Sequence, residues 1–219
     1  MEIRELDNNM YKEIVKTPFC RFNNAEFYAL NAHKVDKVYY LIFSDEKDRF
    51  ALVLGVKDGI AKAPFSASFE CFSEISKNNK IRHYHDAMRC LLDWAKKNNI
   101  SKITISLPPY YYNVSHITKM ENALFVSGFV HKYLDVNFEY YLSDFGDDYD
   151  RVIPYASRKS LNKSLKNNLV FEKTDDTLAV YNIIKQNRIE KGHPLWMSHE
   201  DVVNTAKIIP SDFFLVKDE

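Results

Sequence analysis

Between Val38 and Leu107 the apolar residues change their spacing from every second position to a helical repeat and back, and that switch restricts the fold more than any other feature. Val38–Phe43 and Arg49–Val56 are β-rich runs joined by Ser44-Asp45-Glu46-Lys47-Asp48, a polar loop of hairpin length. Asp58-Gly59 supplies a turn into a third run, Ile60–Phe65, so the simplest reading is an antiparallel meander. From Tyr84 to Lys97, the residues Tyr84, Ala87, Met88, Leu91, Leu92 and Ala95 recur at helical spacing, which predicts a helix laid on the sheet and ended by Asn98-Asn99. Lys102–Leu107 then alternates again, with Ile103, Ile105 and Leu107 on one side, until Pro108-Pro109 stops it.

The same alternation of periods continues. Ile117, Met120 and Leu124 predict a second helix over about Ser115–Ser127, closed by Gly128. Val130–Leu142 predicts a long strand, with Leu134, Val136, Phe138, Tyr140 and Leu142 facing one way and Tyr133, Asp135, Asn137 and Glu139 the other. Strand, helix, strand, helix, strand implies an α/β (α+β) chain built on a mixed sheet with helical crossovers. The 46% of apolar residues are enough to fill its core, and 219 residues suit one domain with an annex.

A boundary is expected where Asp144, Asp147, Asp148 and Asp150 give way to Arg151, Arg158, Lys159, Lys163 and Lys166, which divides the chain into 1–146 and 147–219. Ala156–Lys166 reads as a helix with Lys159, Lys163 and Lys166 on one stripe, Leu169–Lys173 as a short strand, and Thr177–Lys191 as a helix ended by Gly192. Ser198-His199-Glu200-Asp201 has the form of a capping box. Asp212–Val216 reads as a strand with no evident partner, which suggests a second unit cut short, or a homodimer formed through that strand.

Thirty cationic and thirty anionic side chains cancel, so no global field draws the chain to nucleic acid or an anionic membrane. Cys20, Cys71 and Cys90 are odd in number and widely spaced, as expected of reduced thiols in the cytoplasm. The polar N-terminus has no export signal, and no apolar run is long enough for a membrane span. His83-Tyr84-His85 lacks the accompanying ligands of a zinc site, so surface histidines are expected and no metal. Five glycines provide no nucleotide fingerprint, and Pro108-Pro109 donate no amides to a phosphate.

Tyr39–Phe43, Phe50–Gly55 and Lys62-Ala63-Pro64-Phe65-Ser66-Ala67-Ser68-Phe69 together resemble the N-terminal half of bacterial Fem-like proteins of the GNAT superfamily. Arg158–Lys166, Tyr181–Arg188 and Lys191-Gly192-His193-Pro194 are similar to the start of their second GNAT-like domain. Glu70 and Cys71 depart from the pattern, standing where it has glycines. The resemblance implies a GNAT-like mixed sheet with helices on both faces, then a partial second unit. It also implies N-acyl transfer, acetyl or aminoacyl, from acyl coenzyme A or aminoacyl-tRNA to the amine of a cell-wall or sugar-type acceptor. Such a fold orients donor and amine and polarises the carbonyl with a backbone amide.

Each candidate residue has a structural alternative. Lys62, Phe65, Ser66 and Ser68 line an acceptor cleft or form sheet edge and core, and neither serine has an evident partner. Arg158, Lys159 and Lys163 bind phosphate or tRNA, or are a solvated helix face. Trp196 and Tyr110–Tyr112 stack on a sugar or base, or pack in loops. Arg188 and His193 are substrate contacts by their place in the matched segment. A non-catalytic binding or assembly module of the same fold remains the alternative to an enzyme.

Overall fold

The structure, a computed structural model, describes residues 1–146 and 149–218, so Asp147, Asp148 and Glu219 lie outside the described residues. It divides into two compact units, Met1–Leu134 and Asp135–Glu219.

In the first unit the elements run β1 (Glu2–Leu6), α1 (Asn8–Ile14), α2 (Ala25–Asn31), β2 (Lys37–Ser44), β3 (Asp48–Lys57), β4 (Ile60–Ala63), β5 (Ser73–Glu74), α3 (Ile81–Lys97), β6 (Lys102–Ile105) and α4 (Val114–Val126). The expected meander is there: β2 pairs β3 and β3 pairs β4, both antiparallel. β1 joins outside β2, β5 pairs β3, and β6 adds to β4 in parallel, giving the order β1-β2-β3-β4-β6. The third run ends at Ala63 rather than Phe65, because Pro64 lacks the amide a ladder needs.

The register sorts the side chains onto two faces. Tyr39↔Leu54, Leu41↔Leu52 and Phe43↔Phe50 share one, where Tyr39 meets the ring of Trp94 at 4.9 Å and Phe50 that of Tyr84 at 4.7 Å, so α3 covers this side. Tyr40↔Val53 and Ile42↔Ala51 share the other, where Tyr11 of α1 meets Tyr40 at 5.3 Å. Helices therefore lie on both faces of a mixed α/β sheet. α3 buries Tyr84, Ala87, Met88, Leu91 and Ala95 as its spacing requires, and Trp94 in addition, while Leu92 stays half-buried.

Two expectations fail in this region. Val130–Leu142 forms no strand, and its apolar series is bare, with Leu134 81% and Phe138 89% exposed. Alternation states which residues would share a face, but a strand exists only when a neighbour takes its hydrogen bonds, and no ladder among the described residues includes this segment. His83 is buried rather than at the surface: its Nδ1 accepts the Lys80 N–H at 3.1 Å and closes the start of α3.

The second unit contains α5 (Tyr149–Val152), α6 (Tyr155–Lys166), β7 (Val170–Lys173), α7 (Thr177–Glu190), α8 (His199–Ile208) and β8 (Phe214–Lys217). The capping box at Ser198 forms, with Ser198 Oγ accepting from Asp201 N–H at 3.1 Å. The terminal strand has its partner inside the unit: β8 pairs antiparallel with β7, and Phe171 stacks on Phe214 at 5.1 Å. Among the described residues, Ile153, Ile209 and Leu215 are the hydrophobic side chains this unit buries. No helix among the described residues is long and apolar enough to cross a membrane.

Candidate functional site

Ligands of open α/β sheets bind beyond the carboxyl ends of parallel strands, where connections diverge. Here β4 and β6 are the parallel pair. Their ladder runs one bond past the strands, Ser106 N–H donating to Ala63 O at 2.9 Å, and Glu70 N–H then donates to Ser106 O at 2.8 Å. Between those anchors the chain from Pro64 to Phe69 bows off the sheet. None of the amides of Phe65–Phe69 donates a hydrogen bond among the described residues.

Phe65 holds the base of this bow, packed on Tyr28 at 5.6 Å and over Gly55, where an added Cβ would lie 2.4 Å from the ring. Ser66 does have partners. Its hydroxyl donates to Asn31 Oδ1 at 2.8 Å and accepts from Lys34 Nζ at 2.9 Å, while Lys34 Nζ also donates to Asn31 Oδ1 at 2.7 Å. Asn31 is buried and anchored by donating to Phe27 O at 2.8 Å, so the half-buried Lys34 ammonium is held in place. No carboxylate pairs with Lys34 among the described residues. Ser68 is exposed, and Lys62 points from β4 on the side shared with Gly55 and Thr104.

Opposite the bow, Tyr110–Tyr112 form a half-exposed turn at the entry to α4. Tyr112 leans on Phe69 at 5.1 Å and stacks with Tyr111 at 5.0 Å, making an aromatic rim. Two buried polar groups lie beneath. Glu70 is fully buried, its carboxyl pushed up to about 8 by desolvation, against which Tyr28, the Val53 amide and Asn23 pull it down. Glu70 Oε2 and Tyr11 Oη find no hydrogen-bond partner among the described residues.

The second group sets Cys71 Sγ 3.2 Å from His116 Nε2, with His116 Nδ1 3.5 Å from Glu74 Oε2. Thiol, imidazole and carboxylate in that order would activate a nucleophile in an open site. This site is shut. His116 Nε2 is also 2.7 Å from Phe72 O, a carbonyl that only accepts, so Nε2 carries its proton and has no lone pair for the thiol. Burial raises the Cys71 thiol well above its ordinary range, and no substrate reaches a fully buried sulfur. The cluster ties α4 to α3 and β5.

The remaining sequence candidates belong to the second unit. Arg158 is half-buried on α6, its Nη2 donating to Arg151 O and Ile153 O at 3.5 and 3.4 Å, whereas Lys159 and Lys163 are exposed. Arg188 lies exposed in the last turn of α7 and accepts His193 N–H on its carbonyl at 2.9 Å, and Trp196 is 87% exposed. The first unit thus gathers Phe65 and Ser66 at one place and leaves Lys62 and Ser68 at its margin. Sequence reading missed Asn31, Lys34, Glu74 and His116, because a single polar residue outside a motif has no period to betray it.

Among the described residues no three histidine, cysteine, aspartate or glutamate side chains are grouped to hold a metal ion. Compared with known proteins, the chain matches no protein family and no curated sequence.

Proposed function

We propose that the chain is an N-acyltransferase of the GNAT kind, working in the cytoplasm at the carboxyl ends of β4 and β6. The observation that carries this reading is the bow Phe65–Phe69: backbone amides without acceptors among the described residues, beside the fixed ammonium of Lys34, where β4 leaves its parallel neighbour. Donors already in place lower the energy of an oxyanion forming on an attacked carbonyl, and a restrained cation binds an acidic group on donor or acceptor. Support also comes from an antiparallel series of strands ending in one parallel strand, with helices on both faces. Acyl coenzyme A is the donor on this reading, and the acceptor is an amine of a cell-wall or sugar-type molecule.

Acetyl coenzyme A at saturation should raise the melting temperature of the chain, and Lys34→Ala should remove most of that rise. A melting temperature indifferent to acyl donors would refute an active site in this chain. Lys159→Glu with Lys163→Glu tests the second unit separately: weaker binding of a phosphorylated ligand or tRNA would assign it the basic face of α6, and unchanged affinity would leave that face to solvent.

The exposed apolar series of Val130–Leu142 favours a second reading, a non-catalytic assembly module of the same fold. A solution mass of twice the chain that falls to the monomer on Phe138→Lys would support it. A strict monomer would remove both that surface and the homodimer expected through the terminal strand.

A further inference from the structure

We propose that Tyr84, His116 and Glu74 form a two-position proton switch beneath the aromatic rim, in which protonation of His116 Nδ1 turns the Tyr84 hydroxyl from the imidazole to Glu74. The inference does not depend on the acyl-transfer reading.

The geometry offers the Tyr84 hydroxyl two acceptors. Phe72 O fixes the proton on Nε2, which leaves Nδ1 as an acceptor in the neutral ring. Tyr84 Oη is 2.8 Å from that nitrogen and 3.0 Å from Glu74 Oε1, but a hydroxyl has one proton and serves one acceptor at a time. In the neutral state the hydroxyl donates to Nδ1, and Glu74 Oε1 retains the Asn79 Nδ2 donor at 3.0 Å. When a proton from solvent arrives on Nδ1, the ring becomes a donor at both nitrogens. Nδ1–H then faces Tyr84 Oη and Glu74 Oε2, 3.5 Å away, and the tyrosine proton rotates to Oε1. No covalent bond other than the N–H changes, and the new charge is balanced by the glutamate.

The groups facing the ring bear this out. Burial disfavours the cation and Lys119 opposes it, while Glu74 and the Phe72 carbonyl favour it, so His116 titrates below its ordinary value. Tyr84 is raised by burial, so it remains a hydroxyl throughout, and Cys71 stays a protonated thiol. Asn113 caps α4 on the His116 amide at 3.0 Å. Phe19 packs on the imidazole at 5.3 Å and reaches Tyr112 at 6.2 Å, so a charge on His116 is felt at the rim. Because the folded value is depressed, the contribution of neutral His116 is present above about 6.5 and is lost as the pH falls through the lower folded value.

Long-range proton–nitrogen NMR of the histidine rings tests this on the unmodified chain. At neutral pH, His116 should show a bare Nδ1 and a protonated Nε2, with a titration midpoint below about 6.5 and ring signals of Phe19 and Tyr112 moving with it. Glu74→Gln should lower the midpoint by removing the counter-charge, and Tyr84→Phe should raise it by removing the donor to the neutral ring. A protonated Nδ1 at neutral pH, or both variants moving the midpoint in the same direction, would overturn the switch. Rim signals that ignore the midpoint would sever its link to the surface.

Discussion

At Gly55 the side chain is absent because Phe65 occupies its place: ring and Cβ atoms lie 2.4 to 2.7 Å from where a Cβ would be. Those atoms are the rigid base of the phenylalanine, so they cannot swing aside. Gly55→Ala should destabilise the first unit by about 1–3 kcal/mol through overpacking, and Phe65→Ala in the same chain should recover part of that loss. Denaturant titration of the two single variants and the double variant checks it, and additive losses would mean that the residues do not collide. Glu70 raises a separate question of sign. A carboxyl held at about 8 in the folded chain but near 4.5 in the unfolded one takes up a proton on folding. Its contribution is complete below the unfolded value and is lost as the pH rises through about 8. Glu70→Gln should therefore flatten the alkaline decline of stability, and a decline identical in both chains would place its cause elsewhere.

Helices were readable at the scale of elements because their spacing and caps are local. Tyr84–Lys97 and Ser115–Ser127 lie within α3 and α4 give or take a turn, and the box at Ser198 forms as its letters propose. The start of α3 was hidden because its N-cap is Lys80, whose side chain accepts nothing, and the side chain that accepts the Lys80 amide is His83 rather than a glutamate or glutamine. Strands were readable only where partners are consecutive, as in β2, β3 and β4. Val130–Leu142 has as clean an alternation as Lys102–Leu107, yet only Lys102–Ile105 is paired, since β4 lies beside it. The candidate site was less legible. Phe65 and Ser66 stood in a stretch singled out by its resemblance, but Lys34, 32 positions away from Ser66, comes to it just after α2, whose Tyr28 packs on Phe65. Because Val130–Leu142 lacks ladder bonds, limited proteolysis should cut there first while α3 and α4 stay whole. Protection of that segment in the isolated chain would show that something covers it.

The two units differ in how much apolar surface they remove from water, and that difference predicts how the whole molecule unfolds. The first has a continuous core from Leu41, Phe43 and Phe50 through Tyr84, Met88 and Leu91 to Met120 and Leu124, all buried. Burial at about 25 cal/mol per Å² makes such a core the main opponent of chain entropy. The second leaves Phe171, Ile183, Ile184 and Ile189 exposed around its two-stranded sheet, an arrangement too small to be stable without cover. One tryptophan reports on each: Trp94 is buried with Nε1 donating to Glu5 at 2.6 Å, and Trp196 is 87% exposed. In a Trp196→Phe chain, the emission of Trp94 should begin at short wavelength and shift in one cooperative step. In a Trp94→Phe chain, Trp196 should already emit as though in water and change little across the same step. A fragment 1–134 should keep the first transition within a few degrees, because a loss of 1 kcal/mol moves a domain near this size by about 4–8 °C at most. Residues 135–219 alone should show no such step, since side chains already in water have little burial to lose. Cooperative melting of that second fragment, or collapse of the first without it, would show that stability is shared across the chain rather than concentrated in the sheet that bears the candidate site.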